Sequence, residues 1–335
     1  MSTVLAAPRT LKHTRKIGVG LFGCGTVGTA VAEIIAARNY WLQTTHGISL
    51  DVRHIVVRDL VRERAPAIDR ALLRAQVVPA LRDPDVELVI EVIGGTDVAG
   101  EIVLSALESG KHVVTANKAL LAQYGPRLEA IAQANEVLLR YEASAGGAIP
   151  ILQTLRNALP GSDITRLRGI LNGTTNFILT RMGEDGLPFF RALAKAQALG
   201  FAEADPRADV LGIDAAQKLI ILVRQAFGVW VPEANVNCTG IDHISLLDID
   251  NARAEDKTIR SVAEATLENG ALTLSIKPIA LPGSDALAHV RNESNALEIE
   301  SDFAGPLFLQ GRGAGGRATS SAVYADIVEA ATSLR

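Results

Sequence analysis

The feature that most constrains this chain is the hexapeptide Gly23-Cys24-Gly25-Thr26-Val27-Gly28, set between the apolar run Lys16–Phe22 and a helical pattern over Val27–Ala37. Glycine at its first, third and sixth places lets a strand turn tightly into a helix, lets the backbone approach a ligand, and lets helix and strand pack closely. The unpaired N–H groups of such a helix N-terminus are where a pyrophosphate binds. Gly23, Gly25, Thr26, Val27 and Gly28 are therefore expected to contact a dinucleotide, with Cys24 a small filler. The alternative, a glycine-rich turn without a ligand, is weakened by what surrounds it.

Further near-continuous apolar runs follow at Leu50–Val57, Val86–Ile93, Lys111–Thr115 and Glu136–Tyr141, with helical patterns at Val98–Glu108 and Lys118–Gln133 between them. Strands apolar on both faces, alternating with helices, describe a parallel sheet covered on both sides. The expected fold class is α/β: a flexible tail over residues 1–15, then a Rossmann-type doubly wound parallel sheet over 16–146. From about Gly147 the rhythm changes to long helices, Leu187–Ala198 and Arg207–Phe227, with separate strands at Ile164–Leu171, Ala271–Pro278, Ala296–Glu300 and Leu307–Gln310. That segregation predicts an α+β substrate and dimerisation domain over 147–310, its sheet open on one face. Residues 311–335, with a last helix over Ala318–Leu334, are expected to return to the nucleotide-binding domain.

At the end of the second strand, an acid would bind an NAD ribose and an arginine the 2′-phosphate of NADP. The chain offers both, Arg58 and Asp59. The reading leans to NADP(H) through Arg58, with NAD(H) also tolerated. Gly94-Gly95-Thr96 and Asn117-Lys118 lie just beyond the carboxyl ends of other strands, where open α/β sheets bind ligands. Asn117 capping a helix with Lys118 solvated is an equal reading of that spacing.

The densest chemistry lies in Gly200–Lys218, which holds Glu203, Asp205, Asp209, Asp214 and Lys218. Asp205 before Pro206 reads as a helix N-cap followed by proline at the first helical position, and Asp209 as an acid favoured by the helix dipole. Asp214 and Lys218 are four apart and share one face of a helix that continues as Leu219-Ile220-Ile221-Leu222-Val223. A lysine in so apolar a helix must be paired, line a cavity or lose its charge. The spacing leaves it open between a general acid–base and a buried structural ion pair.

Together these segments resemble homoserine dehydrogenase: the Gly23–Gly28 loop, Gly110–Ala122, Asn172-Gly173-Thr174-Thr175-Asn176, the acidic–lysine segment and Gly313-Ala314-Gly315. The resemblance covers nearly the whole chain after the tail. It implies NAD(P)-dependent, reversible reduction of L-aspartate 4-semialdehyde to L-homoserine, in the supply of threonine, methionine and isoleucine. Lys218 and Lys118 then correspond to the two active-site lysines, meeting at the aldehyde oxygen, with Asp214 orienting Lys218. Glu203, Gly173 and Thr174 would contact substrate, while Thr96, Lys118 and Gly315 join Arg58 and the glycine loop at the cofactor. The family's monovalent-cation site, for Na+ or K+, would fall on Glu142, Ala145, Gly147 and Ile149. A homodimer is expected. Some relatives carry a kinase domain before this unit or an amino-acid-sensing domain after it; neither is expected here, nor feedback inhibition through one.

Composition narrows the alternatives. A length of 335 residues exceeds one domain of the usual ~100–150. Basic and acidic side chains number 33 and 37, for a net charge of -4 without a basic run, so a nucleic-acid partner is not expected. No apolar run reaches the ~18 residues of a membrane span. The two cysteines, Cys24 and Cys238, lie far apart and suit a reducing compartment, the cytoplasm. An aspartate-semialdehyde dehydrogenase type would need a cysteine nucleophile with a base beside it, and Cys238 has no adjacent histidine. A scaffold that had lost turnover would be expected to lack a member of the lysine–carboxylate set, and none is missing.

Overall fold

The computed structural model describes residues 14–334. The expected tail lies outside the described residues up to position 13, and Arg15 already belongs to the first strand. Two compact units are distinguished, one taking in 14–120, 124–141 and 319–334, the other 121–123 and 142–318.

In the first unit the order is β1 (Arg15–Phe22), α1 (Thr26–His46), β2 (Ile48–Val56), β3 (Leu73–Arg74), α2 (Val77–Arg82), β4 (Val86–Glu91), α3 (Asp97–Glu108), β5 (His112–Thr115), α4 (Lys118–Ala134) and β6 (Leu139–Arg140). The strands line up as β3-β2-β1-β4-β5-β6 and every pair is parallel, which is the doubly wound sheet read from the sequence. The strand order reverses between β1 and β4, and it is outside the carboxyl ends at such a point that open α/β sheets bind ligands. Gly47 stops α1 by taking a left-handed φ of 70°. Expected strand Glu136–Tyr141 shrinks to two residues because Glu136 itself sits at φ 54°.

The second unit runs α5 (Ile151–Gln153), β7 (Ile164–Ile170), α6 (Gly173–Asp185), α7 (Phe189–Ala198), α8 (Arg207–Val210), α9 (Ile213–Phe227), β8 (Asn237–Cys238), α10 (Leu246–Ala254), β9 (Lys257–Glu268), β10 (Ala271–Pro282), β11 (Ser294–Ser301) and β12 (Leu307–Arg312). A last helix, α11 (Gly316–Ser333), carries the chain back into the first unit, where Arg140 pairs with Glu329 at 2.9 Å. The second sheet has the order β12-β11-β7-β9-β10-β8 and is antiparallel except between β10 and β8. Helices α6, α9 and α10 pack on β9. β10 alternates buried Leu274 and Ile276 with exposed Thr273 and Lys277, so one face meets the core and the other does not.

The helix read over Arg207–Phe227 is two helices, because Gly212 takes φ 85° with its α-carbon turned against Cys238 and Ile276. No helix among the described residues is long and apolar enough to cross a membrane.

Candidate active site

Only three residues join β1 to α1. Gly23 sits at φ 102°, where a Cβ would lie 2.7 Å from the Val92 oxygen, and a Cβ on Gly28 would lie 2.1 Å from the Gly23 oxygen. A side chain at either place would push strand and helix apart. Gly25 differs: nothing lies within 4 Å of where its Cβ would be. It caps α1 without a side-chain bond, and no acid follows in the first turn. The N–H groups of Thr26, Val27 and Gly28 thus have no intrahelical partner and stand at a positive dipole end. These features fit a dinucleotide. Cys24 is buried, its Sγ 3.6 Å from the Thr29 hydroxyl, which is the filler role expected of it.

After β2, Arg58 is exposed while Asp59 is engaged by its own turn. The Asp59 Oδ1 accepts from the N–H of Val61 at 2.8 Å and of Arg62 at 3.0 Å, bonds that hold its carboxyl below the usual range. Arg64, which sequence reasoning passed over, donates to the carbonyls of Cys24 at 2.5 Å and Asp59 at 2.9 Å. It clips the glycine loop to the loop after β2.

At the ends of β4 and β5 the hub is Glu91, fully buried. It accepts from the N–H of Ile93 at 2.8 Å and Gly94 at 3.2 Å, and from the Thr115 hydroxyl at 2.5 Å. Three donors satisfy the buried carboxyl oxygens. Thr115 in turn receives the Asn117 N–H at 3.0 Å, and the Asn117 amide donates to the Gly95 carbonyl at 2.6 Å while its oxygen caps α4 through Leu120 N at 3.1 Å. Gly94-Gly95-Thr96 is thereby tied to the turn that presents half-buried Lys118 as the first residue of α4. Asn117 is the helix cap, as one reading of the spacing expected.

In the second unit Lys218 is 9 % exposed on α9. Its Nζ lies 2.7 Å from Asp214 Oδ2, one turn earlier, and donates to the Leu171 carbonyl at 2.7 Å. The amide of Asn172 gives one N–H to Asp214 Oδ2 at 2.9 Å and the other to Asp209 Oδ1 at 2.7 Å. Its oxygen accepts from Thr175 N at 2.8 Å and so caps α6. Burial pushes the Asp209 carboxyl up; the Asn172 bond opposes this, and the nearby Asp214 charge adds to it. The break at Gly212 lets acids from α8 and α9 converge on one amide. Asp209 therefore shares the network of Asp214 and Lys218, beyond the helix-dipole role that its position suggests.

The other expected residues lie in the same unit, and the Thr174 side chain helps Asn172 to oppose the upward push on the Asp209 carboxyl. The Thr174 hydroxyl donates to the Phe201 carbonyl at 2.7 Å, and a Cβ on Gly173 would lie 2.6 Å from the Glu293 oxygen. Glu203 is exposed; its backbone oxygen accepts from Gln197 at 3.1 Å, and its carboxylate does not join the Asn172 network. The cap position of α8 falls on Pro206, one place later than expected, while the Asp205 carboxylate still accepts from the Arg207 N–H at 3.2 Å and also pairs with its guanidinium at 2.6 Å, which together hold it down at about 2. Buried Glu142 accepts from Leu152 N at 2.9 Å and Gln153 N at 2.6 Å. Gly147 at φ 60° lies against the Gly313 backbone, and the Ile149 carbonyl accepts from Ile151 N at 2.8 Å. Gly315, at φ 115°, precedes α11 with open space where a Cβ would be.

Two family models match: one described as homoserine dehydrogenase over residues 150–328, the other as homoserine dehydrogenase, NAD binding domain, over 23–142. The homoserine dehydrogenase of Bacillus subtilis is 40% identical over 321 residues, covering 96% of this chain and 74% of the relative. The chain belongs to the homoserine dehydrogenase family. The solved homoserine dehydrogenase of Thiobacillus denitrificans superposes with a TM-score of 0.92 at 37% identity, over 96% of this chain and 74% of that one. A hyperthermophilic archaeal homoserine dehydrogenase in complex with NADPH superposes at 0.79 with 30% identity, over 94% of this chain and 97% of that one. Family membership makes the chain an oxidoreductase acting on a CH–OH group with a nicotinamide cofactor.

Proposed function

We propose that this chain catalyses the reversible reduction of L-aspartate 4-semialdehyde to L-homoserine, in the cytoplasm and as a homodimer. The observation that carries the reading is the Lys218 ammonium. Two of its three N–H groups go to Asp214 and to the Leu171 carbonyl, and the third is left for a substrate oxygen.

When bound, the nicotinamide supplies the hydride. The chain's own groups then manage charge and proton. Gly23, Gly25, Thr26, Val27 and Gly28 hold the pyrophosphate on backbone N–H groups. Thr96 and Gly315 line the cofactor, and Arg58 meets the 2′-phosphate of NADP(H), since Asp59 is engaged in its turn. Negative charge develops on the aldehyde oxygen in the transition state, so a positioned ammonium stabilises that state most. Lys218 transfers a proton to that oxygen, and Lys118 stabilises its charge or assists the transfer. Glu203 receives the substrate ammonium, Gly173 and Thr174 contact substrate, and Asp214 holds Lys218. The Glu142 carboxylate with the carbonyls of Ala145, Gly147 and Ile149 would hold a monovalent cation, a donor set of hard oxygens that suits one. The exposed face of β10 serves the dimer.

The test is oxidation of NADPH dependent on aspartate semialdehyde, and its reversal with homoserine, run also with NADH and with Arg58→Ala. Turnover is expected in both directions, and the substitution should raise the KM for NADPH more than for NADH. Absence of substrate-dependent turnover with either cofactor would overturn the reading.

A further inference from the structure

The carbonyl oxygen of Leu171 is shared. It accepts from Lys218 Nζ at 2.7 Å and from the Asn295 amide at 2.8 Å, so both of its lone pairs are in use. β7 and β11 are paired as far as Ile170 opposite Ala296. Asn295 therefore stands next in register, where β7 leaves the ladder to turn into α6, and its side chain takes over from the backbone bonds. The peptide it grips joins Leu171 to Asn172. One amide plane thus sets both the oxygen that receives Lys218 and the residue whose side chain holds Asp214 and Asp209.

Asn295 is 1 % exposed, and its Oδ1 is buried without a hydrogen-bond partner among the described residues. A leucine of similar shape would avoid that cost, so packing alone does not account for an amide here. On its other side a Cβ at Gly313 would lie 2.2 Å from the Asn295 Cγ and Nδ2 and 2.5 Å from its Oδ1. The carboxamide is wedged between the Leu171 peptide and the Gly313 backbone.

We propose that Asn295 is a positioning residue for the acid–base lysine, holding the Leu171 carbonyl so that the Lys218 ammonium presents its third N–H to the substrate oxygen. The proposal rests on the reading of Lys218 as proton donor. Without the amide the Leu171 peptide is released, and an ammonium that loses an acceptor gives up its proton at lower pH. A carboxylate at the same place would instead stabilise the ammonium.

The experiment is the pH profile of kcat for aspartate semialdehyde reduction with NADPH, for the wild type, Asn295→Ala, Asn295→Asp, Gly313→Ala and Lys218→Met. The alkaline limb should move down in Asn295→Ala and up in Asn295→Asp, each by about one pH unit. Plateau kcat should fall by on the order of 10²-fold, with the KM for NADPH unchanged. Gly313→Ala, which displaces the same carboxamide, should follow Asn295→Ala and decides the matter if that protein does not fold. A limb that stays in place in the Asn295 and Gly313 variants, yet is absent from the residual rate of Lys218→Met, overturns the role of Asn295 alone. A limb that persists in Lys218→Met overturns the assignment of the lysine as well.

Discussion

The two units prepare their chemistry by different means. In the first, the glycine loop works through backbone: Gly23 and Gly28 are required because neighbouring carbonyls lie where a Cβ would go, and Gly25 leaves the space in front of the helix open. In the second, the lysine is held by side chains and one carbonyl, with Asn172 collecting two carboxylates and Asn295 steadying the peptide beside it. A backbone site tolerates any change that spares its glycines, whereas a side-chain network spreads each loss to its neighbours.

That contrast can be broken most forcefully at Gly28. Gly28→Ala puts a methyl 2.1 Å from the Gly23 oxygen. NADPH affinity, followed by fluorescence titration, should fall about 100-fold or more, equivalent to at least about 2.7 kcal/mol. Wild-type affinity would show that the loop has room the structure denies.

Asn172→Ala is the matching change in the network. It removes the α6 cap, which costs about 1 kcal/mol, and leaves two carboxylates without their shared donor, about 1–3 kcal/mol more. The melting temperature should drop and kcat should fall, while NADPH affinity is kept. Loss of NADPH affinity equal to that of Gly28→Ala would erase the distinction between the two sites.

Asp209→Asn sharpens the comparison with a smaller effect, of about 1 kcal/mol or less. Burial raises the folded carboxyl above its unfolded value of about 3.9, so ionisation costs stability as the pH climbs from there through the folded value. The substitution should therefore raise the melting temperature at pH 7 and give no gain below about pH 3.9. A gain of the same size at both would place its origin elsewhere.

What the sequence reveals follows the same division. The glycine loop is legible because each glycine answers a local backbone demand, and the parallel sheet because strands buried on both faces are written as unbroken apolar runs. The strand β9 is not, since in Lys257–Glu268 four β-branched residues are interrupted by Ala263, Glu264 and Ala265 and keep no regular alternation, although Asn269-Gly270 at its end is a hairpin turn with both φ positive. Helix α6 begins Gly-Thr-Thr-Asn, poor helix formers that its cap and burial overrule. Lys218 with Asp214 could be paired by spacing. Glu91, Asn172 and Asn295 could not: each is a single polar residue, and Asn295 reaches Leu171 across 124 positions.

The central claim is that the ammonium of Lys218 protonates the nascent alkoxide. Single-turnover hydride transfer from bound NADPH to aspartate semialdehyde, compared between the wild type and Lys218→Met, addresses it directly. Transfer should slow by about 10²- to 10⁴-fold with NADPH binding intact. Transfer near the wild-type rate would contradict it.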